Sequence, residues 1–229
     1  EPEDKMDRKK FLHPPDFARA RQIQEELLSQ LKLQPLENKP SFIAAADATF
    51  SGEKVLAAVL LFAFPELKLL ETQVVCQPIS FPYRPGYLSF REGPAILTGL
   101  SKLSHQPDLV LLDGQGIAHP KKMGLATFVG IISGLPSVGC AKSHLVGRYQ
   151  EPEREKGCLS PIELKGEIVG YCFRSRTGVK PIFISPGHLI NLEDSLRIIQ
   201  DCLRTYRLPE PLRQAHQVTT RLRQSPWLS

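Results

Sequence analysis

The sequence predicts an α/β domain built on a mixed β-sheet, and three observations carry that prediction. Three β-rich runs, at about 42–50, 55–64 and 67–76, follow one another across breaks of hairpin length. Beyond them an apolar strand, a helical stretch and a second strand alternate, the signature of parallel strands joined by crossover helices. Amphipathic segments at both ends supply helices to cover the sheet.

The first element is an amphipathic helix at about 15–33, with Pro15 in its first turn and Ile23, Leu27, Leu28 and Leu31 at helical spacing. The breaks Ser-Gly-Glu-Lys and Pro-Glu make the three β-rich runs an antiparallel meander. Three prolines and a glycine mark 78–86 as a loop, which feeds a helix near Glu92 that reaches about 103 with Pro94 in its first turn. A strand at 109–113, a helix at 125–133 and a strand at 137–142 come next, then strands at 168–174 and 181–185. Asn191 caps a helix whose buried stripe is Leu192, Leu196, Ile199 and Leu203, and a last helix covers about 211–222. Residues 148–156 are polar enough for an exposed loop, and there is no internal repeat.

At 229 residues the chain is long for one domain and short for two, so the expectation is one domain over 1–229, with the helix at 15–33 leading into a core at about 41–222. A composition of 41% hydrophobic and 23% charged residues excludes disordered and fibrous classes. The net charge of +5 suits a polyanionic partner without demanding one. The longest apolar stretch, 55–64, is far shorter than the roughly 20 residues of a membrane-spanning helix. The charged start, Glu-Pro-Glu-Asp-Lys-Met, shows no secretory signal, which makes the cytoplasm the expected location. Cys76, Cys140, Cys158, Cys172 and Cys202 form no Cys-x-x-Cys pair and read as reduced, structural thiols.

Two acidic residues stand out. Asp47 interrupts the apolar run Phe42-Ile-Ala-Ala-Ala-Asp-Ala-Thr-Phe50, where an ionised carboxylate needs a cation or hydrogen bonds to offset its burial. Asp113 ends the run Leu109-Val-Leu-Leu ahead of Gly114-Gln115-Gly116, where open sheets often place ligands. If the two converge, their oxygens suit magnesium or manganese and phosphoryl-transfer chemistry; each can equally cap a turn or pair with an arginine. Glu92 opens a helix, where the dipole alone favours a carboxylate.

Other residues carry two readings as well. Lys142 ends a strand, as a phosphate-neutralising group or a solvated end. His119 and His216 suit leaving-group or metal chemistry, or a structural hydrogen bond. Tyr83, in Pro82-Tyr83-Arg84-Pro85-Gly86, is a ring on a stiffened loop that can stack against a distorted duplex or pack on the surface. Lys121-Lys122 and Arg174-Ser-Arg176 either track phosphates or are simply solvated.

Taken together, Ala46-Asp47-Ala-Thr-Phe50, Pro82-Tyr-Arg-Pro-Gly86, Phe90-Arg-Glu92, Asp113-Gly-Gln-Gly-Ile-Ala-His-Pro120, Gly139-Cys-Ala-Lys142, Ser185-Pro-Gly-His188 and Leu208-Pro-Glu-Pro211 resemble the endonuclease V family, in the family's order from about 42 to 221. The resemblance implies a ribonuclease H-like fold. It implies Asp47 and Asp113 as magnesium ligands, manganese being a possible substitute, with Glu92 completing the acidic site directly or through water. Lys142 would contact the reacting phosphate and His216 would assist near the metal. The Tyr83 loop, Pro82 to Gly86, corresponds to the family's strand-separating wedge. The lesion pocket would lie near Gly86, Leu88 and Gly114, with Gly116, His119, Lys121 and Lys122 also on the substrate side. The implied activity is a DNA-repair endonuclease acting on deaminated adenine, inosine. It would hydrolyse the second phosphodiester bond 3′ to the lesion and leave a 3′-hydroxyl and a 5′-phosphate.

The sequence departs from the family pattern at Arg84, where an aliphatic residue is expected, and at Lys121-Lys122, where arginines are. Arg84 then reads as an added phosphate contact, and lysine lacks arginine's bidentate geometry. The expected partner is inosine-containing damaged DNA, double- or single-stranded, bound by a monomer away from membranes. Inosine-specific RNA cleavage, or inosine binding without catalysis, are the competing readings.

Overall fold

In the computed structural model, which describes residues 8–224, a 3₁₀ turn (Arg8–Phe11) precedes helix α1 (Phe17–Leu28). Asp16 caps α1 by accepting the Arg19 N–H at 2.7 Å, so Pro15 lies just outside the helix instead of in its first turn. The helix also stops short of 33, and Leu31 packs on the core from a turn.

The predicted meander is present as β1 (Phe42–Ser51), β2 (Lys54–Ala63) and β3 (Lys68–Pro78), paired antiparallel in that order. Helix α2 (Ser89–Ser101) begins earlier than predicted, which leaves Pro94 inside it, beyond the first turn. The crossover unit is β4 (Leu109–Leu112), α3 (Leu125–Ser133) and β5 (Ser137–Ala141), and both β1–β4 and β4–β5 pair parallel.

Sequence reasoning missed β6 (Leu159–Leu164), whose Pro161 argues against a central strand. It is the edge strand of the sheet, paired with β7 (Glu167–Phe173) and bridged on its outer side by Arg148 at Glu163, and β8 (Ile182–His188) joins β7 to β5. Helix α4 (Leu192–Asp201) has the predicted cap, Asn191 accepting the Asp194 N–H at 2.8 Å. Its buried stripe is rotated toward Ile198, Ile199 and the adjoining Cys202, with Leu192 and Leu196 at its margin. Helix α5 (Glu210–Gln224) is the last element described.

The strands form one eight-stranded mixed sheet in the order β3-β2-β1-β4-β5-β8-β7-β6, and its β3-β2-β1-β4-β5 part is the ribonuclease H-like arrangement. Side chains alternate between faces along a strand, and each face of this sheet has its own core. Ala44, Ala46, Val110 and Leu112 pack with α1, α2 and α3 on one face. Ile43, Ala45, Leu109, Leu111, Val138 and Cys140 pack with α4 and α5 on the other. Arg174 is no phosphate tracker: it is buried, bonded to Glu151 and to the carbonyls of Pro152, Glu153 and Val179, and it braces the 148–156 loop from inside. All five cysteines are free thiols. No described helix is long and apolar enough to cross a membrane.

Candidate active site

The alternation that builds the two cores also aims the acidic residues. Asp47 continues the series Ile43, Ala45 and Asp113 continues Leu109, Leu111, so both carboxylates fall on the face covered by α5. Ala46 pairs with Leu112 in the parallel register and the Asp113 N–H donates to the Ala46 carbonyl at 3.2 Å, which sets the two aspartates side by side at the strand ends. Lys142 follows Val138 and Cys140 on the same face of β5, and its Nζ donates to Asp113 Oδ2 at 2.5 Å.

Helix α5 closes this face. His216 Nδ1 lies 3.1 Å from Asp47 Oδ2 and 3.4 Å from Lys142 Nζ. One turn on, the buried Thr219 hydroxyl makes a short hydrogen bond to the same Asp47 oxygen. Ligand atoms of Asp47, Asp113 and His216 all lie within 4.8 Å of one another. Thr219 was missed in sequence; its only signal is its place three residues after His216, on the same face of a helix. Arg207 was missed too: its Nη2 donates to the carbonyls of Lys142 and Pro181, both at 2.7 Å, and steadies the segment that carries Lys142.

Glu92 reaches the acidic cluster from α2, in the helical layer of the opposite face, and lies outside the tight Asp47–Asp113–His216 group. It is 8% exposed, and among the described residues nothing donates a hydrogen bond to its carboxylate. Burial, then the charges of Asp47 and Asp113, push its pKa up to about 8. Burial likewise pushes the Asp113 carboxyl up against the pull of Lys142, and Asp47 adds to the rise. Two buried acids and the half-buried Asp113 thus face one lysine, and this surplus of acidic groups is what an added cation relieves. Oxygen donors of this kind fit magnesium or manganese, and the imidazole nitrogen leans toward manganese.

The remaining predicted residues sit along the 81–88 loop and the segment after β4. The Tyr83 ring is 68% exposed, with the Arg91 guanidinium 5.8 Å from its centroid. Pro82, Arg84 and Pro85 are exposed, and the Arg84 guanidinium lies 4.8 Å over the Phe17 ring of α1. Gly86 adopts a left-handed φ of +84° and is half-buried, as is Gly114, while Leu88 is exposed. Gly116 is buried against β8, where a Cβ would come 2.0 Å from the Pro186 carbonyl oxygen; its missing side chain serves chain packing there. His119 is buried, and burial followed by the Lys121 charge lowers its pKa to about 4, so the imidazole is neutral at pH 7. Lys121 contacts Gln24 and Tyr87, and Lys122 pairs with Glu167.

Residues 25–217 match the family model described as endonuclease V. A protein named endonuclease V from Rippkaea orientalis is 44% identical over 212 residues, which is 92% of this chain and 93% of that protein. The crystal structure of endonuclease V from Streptomyces avermitilis has a TM-score of 0.87 and 32% identity, over 91% of this chain and 93% of that one. Endonuclease V from Ciona intestinalis, in complex with a 24mer DNA containing an inosine followed by a ribo-adenosine, has a TM-score of 0.78 and 26% identity, over 90% of this chain and 96% of that one.

Proposed function

The chain belongs to the endonuclease V family of nucleases, and from that premise we propose that it is a DNA-repair enzyme that nicks a strand beside inosine, at the second phosphodiester bond 3′ to the lesion. The products are a 3′-hydroxyl and a 5′-phosphate. The observation that carries the reading is the pairing of Asp47 and Asp113 at adjacent strand ends with Lys142 Nζ 2.5 Å from Asp113. The Ciona complex supports inosine as the lesion.

In this reading Asp47 and Asp113 hold magnesium, or manganese in its place, and Glu92 completes the acidic set once deprotonated. When bound, the ion supplies Lewis acidity for phosphodiester hydrolysis. The chain's own groups do the rest. Thr219 and His216 fix the Asp47 carboxylate, and Lys142 offers its ammonium to the charge that develops on the reacting phosphate. The exposed Tyr83 ring, backed by Arg91, enters between strands as a wedge. Gly86, Leu88 and Gly114 line the base pocket, with Gly116, His119, Lys121 and Lys122 behind it. The proposed state is a monomer, and five free thiols suit the reducing cytoplasm.

A second reading, cleavage of inosine-containing RNA, gains support from the ribo-adenosine that follows the inosine in the Ciona complex. The test is a labelled duplex with one inosine, incubated with magnesium or with chelator, beside an undamaged duplex and a matched RNA. Magnesium-dependent nicking two bonds 3′ of inosine supports the proposal. Binding without nicking under any divalent metal overturns it, and faster nicking of the RNA moves the substrate to the second reading.

A further inference from the structure

Helix α1 takes no part in the acidic cluster, yet it sends a buried side chain to the 81–88 loop. Gln24 is 1% exposed, and its Nε2 donates to the Gly86 carbonyl at 2.8 Å. Its Oε1 accepts from Lys121 Nζ at 3.1 Å. A carbonyl on one side and an ammonium on the other leave only one orientation for the amide. Lys121 is held in turn by the Tyr87 hydroxyl at 3.2 Å and lies 5.0 Å over the Tyr87 ring.

These contacts fix one peptide plane from both edges. The unit joining Gly86 to Tyr87 has its carbonyl bound by Gln24, while its N–H, that of Tyr87, donates to the Arg84 carbonyl at 3.1 Å. The restraint matters because Gly86, at φ +84°, has no side chain to stop the plane from turning over. Among the described residues the N–H groups of Gly86 and Leu88, on either side of this unit, have no hydrogen-bond acceptor. That stretch therefore offers donors, and the carbonyl that lies between them in the chain, that of Gly86, is already engaged by Gln24.

Hypoxanthine and adenine differ at position 6, where the first carries an accepting oxygen and the second a donating amino group. A wall of N–H groups favours the first; a carbonyl turned into the same wall would accept from the second. We infer that Gln24 is a specificity-determining positioning residue, which by engaging the Gly86 carbonyl denies an acceptor to the amino group of undamaged adenine. This rests on the proposed base pocket at Gly86, Leu88 and Gly114.

The test compares wild type with Gln24→Leu and Gln24→Glu on two strands identical except for inosine or adenosine at one position. The Glu variant keeps the volume and the partner for Lys121 but loses the donor to Gly86, and it stands if the Leu variant does not fold. Folding is checked by thermal melting, and kcat and KM are measured for both strands with magnesium. The expected result is an inosine-over-adenosine ratio of kcat/KM that falls roughly tenfold, the worth of one hydrogen bond, with the change on inosine mainly in KM. Folded variants that lose activity on both strands in parallel, or that keep the wild-type ratio, overturn the inference while the base pocket stands. A wild type that cuts the two strands alike overturns the base pocket, and the inference with it.

Discussion

Glu92 makes the metal-free protein sensitive to alkali in a way that can be worked out in advance. Its carboxyl titrates near 8 in the folded chain against an ordinary 4.5. The folded state therefore holds a proton that the unfolded state has already released, and stability falls as pH rises between these values. Each pH unit in that window is worth about 1.36 kcal/mol, so the loss reaches about 3 kcal/mol at pH 7 and about 5 kcal/mol above pH 8. Glu92→Gln keeps the shape and cannot ionise. Urea unfolding in chelator at pH 5, 7 and 9 should give a variant whose advantage over wild type is absent near pH 4.5 and grows to a few kcal/mol at pH 9. Magnesium should erase the advantage, because a cation in the site stabilises the ionised wild-type carboxylate. A Glu92→Gln advantage that does not change with pH would refute the placement of Glu92 among like charges in a buried site.

Four other substitutions probe the same site. Asp113→Ala and Asp47→Ala should each lower cleavage of inosine DNA by at least about a hundredfold and retain binding in a gel-shift assay; near-normal cutting by either would remove that residue from the catalytic set. Tyr83→Ala should leave the unfolding free energy within about 0.5 kcal/mol, since the ring is exposed, and weaken binding of an inosine duplex by about 1–3 kcal/mol. Unchanged affinity would sink the wedge assignment. His119, with a folded pKa near 4 against an ordinary 6.5, contributes stability that is complete above pH 6.5 and is lost as pH falls toward 4, at most about 3 kcal/mol. His119→Gln should flatten that part of the acid limb, and an identical acid limb in the variant would assign the loss to other groups.

Much of the frame is legible because it follows from patterning at short range. The meander shows in its breaks, β4–α3–β5 in its alternation, and Asp47 and Asp113 in the cost of placing a charge in an apolar strand. What escapes the sequence is long-range or context-bound. Pro161 disguises β6 because edge position is a property of the sheet and not of the residue. Thr219 looks like any helix-face threonine until α5 lies over β1, and Gln24 like any solvated helix glutamine until the 81–88 loop folds over it. Arg174 reads as a surface cation because nothing local announces the carbonyls that enclose it. Glu92 is legible only through the family resemblance, since it arrives from the helical layer on the far side of the sheet.

The side-by-side placement of Asp47 and Asp113 is inherited from the sheet's register, and this makes the greasy interior the proofreader of the polar site. If β4 slipped by one residue against β1, Leu109 and Leu111 would trade places with Val110 and Leu112, and Asp113 would swing into the layer beneath α2 and α3. Such a slip would strand a charge among alkyl groups and spoil two cores at once. An assembly error that would disable the chemistry is thus also one that the fold resists most strongly, and a folded molecule carries its two aspartates in alignment without any contact between them having to enforce it.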